Sequence, residues 1–199
     1  NDTQDWTEGW YADMAGTGEK EIFAFFGPAW LINYTMGGNA GDTKGDWRVT
    51  ESPVGFFWGG TWVLASKYAA QASDEKKAAI AEFISWITLD YSETGLQYLW
   101  ANGLVDWDGD PATITAKDTV ASSVVMGKSD GKLDFCGGQD VFPAFIEGNK
   151  YASAKAMTQY DEGINGYFTD AANQYAQGNM SRDEALDAFK TNVSDNFSF

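Results

Sequence analysis

Histidine is absent from this sequence of 199 residues, and cysteine occurs once. Without histidine there can be no Ser-His-Asp or Cys-His catalytic centre, no histidine-ligated zinc or iron, and no histidine pH switch. One cysteine cannot form an internal disulfide or a thiolate cluster, and the setting of Cys136 in LDFCGGQD is typical of a small buried apolar residue. These catalytic centres and metal sites are therefore excluded. We expect no enzyme activity and no cofactor, and no metal site built from histidine or a cysteine cluster.

Basic residues are also scarce, with 13 Lys and Arg against 29 Asp and Glu and a formal net charge of -16. Such a charge repels nucleic acid and anionic lipid, so we expect no nucleic-acid partner. No run approaches the roughly 20 apolar residues of a membrane span. The apolar content of 44% nevertheless predicts a folded chain. The start at Asn1, without a signal peptide, is interpreted as a processed end or the start of a fragment.

The most informative stretch runs from residue 46 to 67 and is dense in aromatic residues. It contains Trp47, Trp58 and Trp62, and the pair Gly59 and Gly60 interrupts an otherwise strand-forming run. Glycine in such a place indicates a bulge, a bend or a close approach to the backbone. Aromatic faces beside exposed backbone N–H groups suit an uncharged ligand with apolar faces and polar edges, such as a sugar. The alternative is that these tryptophans belong to the core.

Apolar patterns predict both strands and helices. Strands are predicted at 21–26, 47–50 and 61–65. Helices are predicted at 29–36, 74–89 after the N-cap Ser73, 92–100, 161–176, and after the capping box of Ser181 and Glu184. The segment 116–127 fits either a helix or a strand.

An acidic loop lies at 103–115. Asp106, Asp108 and Asp110 alternate as at the start of a calcium loop, but Pro111 and Lys117 stand where an EF-hand needs glycine and glutamate. A solvated acidic turn is the favoured interpretation, and calcium binding stays open.

The order of several motifs resembles the C-terminal half of a family 1 extracellular solute-binding protein, the sugar-binding subunit of bacterial ABC importers. These motifs are GPAWLINY, DWRVTESP, GGTWVLASK, AAIAEFISWIT, FCGGQDVFPAF and YDEGINGYFTDAANQYAQGNMSRDEALDAF. The resemblance implies a two-lobed α/β fold of the periplasmic-binding-protein type II, of which this chain is a fragment. It implies that 1–50 and 115–199 belong to one helix-rich lobe, that 57–114 belongs to the other, and that hinge crossings lie at 51–56 and near 115.

The resemblance also implies a ligand site in the cleft between the lobes. Trp30 would be a stacking platform, the segment from Trp58 through Gly59, Gly60 and Thr61 to Trp62 would form one wall, and Gln139, Asp140 and Phe142 would face it. A helix N-terminus is the other interpretation of Gln139 and Asp140. Implied partners are a sugar or oligosaccharide and the importer's permease subunits, with a monomeric receptor that is periplasmic or a lipoprotein on the cell surface.

Two other classes of protein share some of these features. A glycoside hydrolase would place two carboxylates about 5 to 10 Å apart beside aromatic subsites. A stand-alone carbohydrate-binding module would share the aromatic platform, but such modules are usually β-sandwiches, and the long C-terminal helices argue against one. The transport receptor is the favoured prediction.

Overall fold

The computed structural model describes residues 3–56, 58, 60, 62–105, 120–155 and 157–197. The chain divides into two units, Asn1–Ala152 and Ser153–Phe199. The predicted lobes are a different division, with 1–50 and 115–199 in one lobe and 57–114 in the other. The two-lobed α/β arrangement itself stays a prediction. The predicted crossing near 115 and the acidic loop from Asp106 to Asp110 lie outside the described residues.

The first unit is built mainly from short helices. They are α1 (Glu8–Met14), a π-helix (Leu31–Met36) that continues into α2 (Gly37–Asn39), α3 (Asp74–Thr88), α4 (Leu96–Ala101), α5 (Ser123–Met126) and α6 (Phe142–Asn149), with 3-10 turns at Gly41–Thr43, Lys67–Gln71 and Asp134–Cys136. The predicted helices at 29–36 and 74–89 are therefore confirmed. The helix predicted at 92–100 begins at Leu96 instead, because the residues before it form a turn in which Asp90 accepts a hydrogen bond from the Ser92 N–H at 2.9 Å.

One antiparallel pair of strands, β1 (Lys132–Leu133) and β2 (Gln139–Asp140), forms the sheet in the described part of the chain. The connection between them needs a left-handed residue, which Gly137 supplies at φ 62°. The Gly138 N–H then donates to the Leu133 carbonyl at 2.9 Å and closes the turn. The segment LDFCGGQD is therefore a tight hairpin that leads directly into α6.

The core of the first unit lies between α1, the π-helix, α4, α5 and the hairpin. Among the described residues, its largest fully buried side chains are Phe142, Met14, Val125, Val141 and Cys136, each less than 2% exposed. The prediction that Cys136 is buried is thus confirmed. Met14 comes from α1, Val125 from α5 and Phe142 from α6, so the hydrophobic effect holds together segments far apart in the sequence.

The predicted strands at 21–26 and 47–50, and the described residues of the one at 61–65, are not strands, so these predictions are wrong. Phe23 is 100% exposed and Phe26 is 66% exposed, so the run 21–26 is not buried either. The physical reason is that a strand needs a neighbour to pair its N–H and C=O groups, and none is beside these segments in the described part of the chain. Apolar composition alone does not supply that neighbour.

Helix α3 forms as predicted but buries none of its residues. The Ser73 hydroxyl accepts a hydrogen bond from the Lys76 N–H. Asp74 and Glu75 lie in the first turn, where their negative charges interact favourably with the helix dipole. Its apolar side chains nevertheless stay partly open to solvent, with Phe83 at 56% exposure. Local signals therefore specify this helix, and burial contributes less to it than the sequence pattern predicts.

The second unit is a hairpin of two helices, α7 (Asp161–Ala176) and α8 (Arg182–Asn196). Gly178, at φ 77°, turns the chain between them, and both halves of the predicted capping box at Ser181 and Glu184 are present. Phe168 and Phe189 meet edge to face at 5.5 Å between ring centroids. Within the described residues, no helix is long and apolar enough to cross a bilayer.

Candidate functional site

Three aromatic side chains, Trp6, Tyr34 and Trp58, meet around Trp30. The Trp6 ring stacks on Trp30 at 5.7 Å between centroids and an interplanar angle of 17°. Tyr34 and Trp58 meet Trp30 at 6.1 and 5.6 Å, in steeper geometries of 81° and 65°. We call these residues, Trp6, Trp30, Tyr34 and Trp58, the aromatic cluster.

Two local features fix the position of Trp30. It follows the turn at Gly27 and Pro28, where the Leu31 N–H donates to the Pro28 carbonyl at 3.0 Å and starts the π-helix. A Cβ on Gly27 would lie 2.3 Å from the Leu31 Cδ2 atom, so a larger residue there would require the buried Leu31 side chain to shift. The Trp30 indole N–H then donates to the Trp58 carbonyl at 3.4 Å, which attaches the aromatic loop to the π-helix.

The cluster is open to solvent on part of its surface. Tyr34 is 77% exposed and Trp6 is 49% exposed, whereas Trp30 and Trp58 are half-buried. Large aromatic rings at this exposure lose hydrophobic stabilisation unless something covers them. The cluster therefore has ring surface open to solvent, while its Trp30 also packs against the core.

The backbone around the cluster departs from regular geometry at two places. Trp6 has a φ of 65°, in the left-handed region that bulky residues avoid. The segment after Trp30 is a π-helix, a form that is rare and often found at functional sites. In it, the Thr35 hydroxyl is buried with no hydrogen-bond partner. A strained backbone and a buried hydroxyl without a hydrogen bond both cost free energy of folding. They persist where the surrounding structure imposes them, and they are concentrated at functional sites.

The other residues predicted for the aromatic wall are only partly described. Trp62 is 77% exposed, and Gly60 is exposed at φ 122° with nothing within 4 Å of the place where a Cβ would lie. Gly60 thus has a backbone conformation that favours glycine, and the space beside its Cα atom is open. Gly59 and Thr61 lie outside the described residues.

Gln139 serves as a connector within the structure. Its side-chain amide accepts from the Val49 N–H at 2.8 Å and donates to the Val49 carbonyl at 2.7 Å. It therefore imitates a strand partner and holds the segment after Trp47 against the hairpin. A ligand that used this amide would compete with both bonds.

Asp140 and Phe142 lie at the start of α6. The Asp140 carboxylate accepts from the Phe142 N–H at 3.2 Å, which supports the helix N-terminus interpretation and leaves the exposed carboxylate open to a further partner. Phe142 is 1% exposed within the core, so its predicted ligand-facing position is not observed. The reason is that the first turn of α6 packs its aromatic ring inward, where burial is most favourable.

The described carboxyl groups with shifted pKa values all shift downward. The Lys150 ammonium beside Glu147 lowers the pKa of that carboxyl, and the Ser181 N–H and hydroxyl lower the pKa of Glu184. An acid catalyst of glycoside hydrolysis needs the opposite, a raised pKa. Within the described ranges, moreover, no three carboxylate or thiol groups are arranged to hold a metal ion.

Neither the family models, nor the curated proteins, nor the solved structures compared with this chain give a match. The structure brings Trp30 and Trp58 together, and their role in ligand binding stays a prediction. Hydrogen bonds and ring contacts of the described residues do not link them to Gln139 or Asp140.

Two members of the cluster, Tyr34 and Trp6, were not predicted. Tyr34 follows Trp30 by four residues, and side chains at this spacing are neighbours on a helix, so the signal for it was present. Trp6 lies 24 residues before Trp30, and no local pattern connects the two. Only the folded chain reveals its place in the cluster.

A separate cavity of about 420 Å³ lies beside α1. Its walls include Asp13, which is 6% exposed, and the turn of Thr17 and Gly18. The Thr17 and Gly18 N–H groups both donate to the Ala12 carbonyl, so this turn closes the end of α1. The cavity is not part of the predicted site.

Proposed function

We propose that the chain is the carbohydrate-binding part of an extracellular solute-binding receptor that serves an ABC importer. The observation that supports this most strongly is the contact between Trp30 and Trp58. Their rings meet at 5.6 Å, and the Trp30 indole N–H donates to the Trp58 carbonyl. Two segments that the family resemblance assigns to the sugar site, separated by 28 residues, are therefore attached to each other.

The chemistry of the cluster suits a neutral sugar. The C–H faces of a pyranose ring pack on an indole or phenol face, and its hydroxyls need hydrogen-bond partners at the rim. The Tyr34 hydroxyl and the exposed backbone at Gly60 are candidate partners of that kind. The net charge of -16 disfavours an anionic solute.

In this proposal the receptor captures its ligand outside the cell, in the periplasm or as a lipoprotein on the cell surface. Two lobes close around the sugar by a hinge motion, and the closed form is delivered to the permease subunits. The receptor acts as a monomer and without a cofactor. It releases the sugar unchanged, because binding and transport need no covalent chemistry.

The proposal can be tested by titrating the chain with neutral oligosaccharides in a calorimeter and by saturation-transfer NMR, while an assay for reducing ends records any hydrolysis. We expect saturable binding without product. Release of new reducing ends would contradict the receptor and favour a glycoside hydrolase. Failure of every sugar to bind would contradict the proposal that the ligand is a carbohydrate.

Replacing Trp58 or Trp62 by alanine is expected to weaken sugar binding at least about tenfold, or about 1.4 kcal/mol, because each variant removes an aromatic face from the proposed wall. The measurement is the dissociation constant from calorimetry. Trp86→Ala is the matched control, since Trp86 lies on α3 and its indole N–H donates to the Thr94 carbonyl, outside the cluster. Normal binding by both site variants would contradict the assignment of this wall.

A further inference from the structure

One face of Trp30 is already occupied in the structure. The Trp6 indole lies nearly parallel to it, at 17° and 5.7 Å, which is an offset stack of the kind that aromatic pairs prefer. Tyr34 and Trp58 crowd Trp30 further in steep geometries. A sugar therefore cannot stack on this face of Trp30 while Trp6 is in place.

Trp6 is the outer ring of that stack and is 49% exposed. It also contacts Trp10 at 5.4 Å between ring centroids, and Trp10 is a core residue with 5% exposure. Trp6 is thus supported from the core side by Trp10 and Trp30, while about half of its surface faces solvent. This is the arrangement of a rigid aromatic platform.

The backbone of Trp6 is held in an unfavourable conformation. Among the described residues it is the only non-glycine residue with a positive φ. The next residue, Thr7, is the N-cap of α1, and its hydroxyl accepts from the Trp10 N–H and donates to the Gln4 carbonyl. The Thr7 cap fixes the backbone after Trp6, and the stack on Trp30 fixes the Trp6 ring. The backbone strain persists because these two contacts together hold Trp6 in place.

We propose that Trp6 is the ring that presents its face to the ligand, with Trp30 behind it as a positioning residue, and that the ligand is an extended neutral oligosaccharide. This rests on the proposed function and deepens it. Trp6 and Tyr34 contact Trp30 in different orientations, and both are well exposed, so they offer separate ring surfaces. A monosaccharide covers one of these surfaces, whereas a longer chain covers both and gains the second contact.

The test compares glucose with maltotriose, cellotriose and xylotriose, each titrated into the unmodified chain and into Trp6→Ala, Trp6→Phe and Trp6→Gly. We expect a trisaccharide to bind the unmodified chain more tightly than glucose. Trp6→Ala should lower trisaccharide affinity at least about tenfold, and Trp6→Phe should keep most of it because a ring remains. Trp6→Gly should lose as much affinity as Trp6→Ala, although glycine relieves the backbone strain.

Three results would overturn the inference while leaving the receptor in place: unchanged trisaccharide affinity in Trp6→Ala, tighter binding in Trp6→Ala, or equal affinity of the unmodified chain for glucose and trisaccharide. Tighter binding would mean that Trp6 blocks Trp30 rather than extending it. Binding of no sugar to the unmodified chain would instead contradict the proposed function and the inference together. Near-ultraviolet circular dichroism of each variant checks that the first unit remains folded.

Discussion

Truncation of Phe142 to alanine is expected to lower the free energy of unfolding of the first unit by about 3 to 5 kcal/mol. Phe142 is 1% exposed and is the largest of the fully buried side chains. Its removal loses the transfer free energy of the ring and leaves a cavity that the rigid surroundings fill only in part. The measurement is urea denaturation followed by tryptophan fluorescence.

Fluorescence is a selective probe here because all nine tryptophans lie between residues 6 and 107, within the first unit. The matched control is Phe23→Ala, the same substitution at a side chain that is 100% exposed. We expect it to change stability by no more than about 0.5 kcal/mol. Equal losses in the two variants would contradict the described core, and would favour the buried strand that the sequence predicted at 21–26.

The Phe142 variant also separates the two interpretations of that residue. A ligand-facing ring would leave stability unchanged on truncation and reduce sugar affinity. A core ring reduces stability, and the fraction that remains folded binds sugar with unchanged intrinsic affinity. Measuring both the stability and the sugar affinity of this variant therefore distinguishes a core ring from a ligand-facing ring.

Helices α3, α7 and α8 were predictable because their signals are local, whereas α1 was not predicted and α4 begins later than predicted. Ser73 and Ser181 cap the helices that follow them, Glu184 completes the capping box, and Gly178 turns the chain between α7 and α8. Each signal acts within a few residues through hydrogen bonds that the backbone needs at helix ends. The sequence therefore contains the whole of the information that these boundaries require.

The strands were not predictable in the same way, since a strand depends on a partner elsewhere in the chain. Val49 finds its partner in the side chain of Gln139, 90 residues away, instead of in a strand. The Gly45 N–H likewise donates to the Phe135 carbonyl at 2.9 Å. Apolar composition near Trp47 indicated an extended segment, but it could not specify what would satisfy its backbone.

The candidate site shows both situations. Trp58 could be named from the sequence because glycines and aromatic residues concentrate around it, and Trp30 was named through the family resemblance. Trp6 could not, because its role depends on a stack with Trp30 that only tertiary structure creates. Exposure likewise depends on the fold, and it distinguishes the buried Phe142 from the exposed Tyr34.

A second large effect is expected from Gly95→Ala, which should destabilise the first unit by about 1 to 3 kcal/mol. Gly95 has φ -69° and ψ 144°, a conformation that alanine adopts easily, so the backbone angles do not oppose the change. The obstacle is space, because the new Cβ would lie 2.1 Å from the Asp90 carbonyl oxygen. That oxygen belongs to backbone and cannot rotate away as a side chain would.

The turn that must move is held by several bonds. The Gly95 N–H donates to the Ser92 carbonyl at 3.1 Å, and the Trp86 indole N–H donates to the Thr94 carbonyl at 2.8 Å. Displacing the turn therefore strains the connection between α3 and α4. Urea denaturation followed by tryptophan fluorescence measures the loss, and Trp86 is itself a reporter of this turn.

Gly148→Ala is the matched control, and it is expected to change the stability of the first unit in the opposite direction. Gly148 lies within α6 in the same unit, and nothing is within 4 Å of the place where its Cβ would lie. Alanine there lowers the conformational entropy of the unfolded chain and should stabilise the unit by about 0.4 to 1 kcal/mol. Stabilisation by both substitutions would show that the Asp90 carbonyl does not closely approach Gly95, because the two sites differ in that approach and not in the residue exchanged.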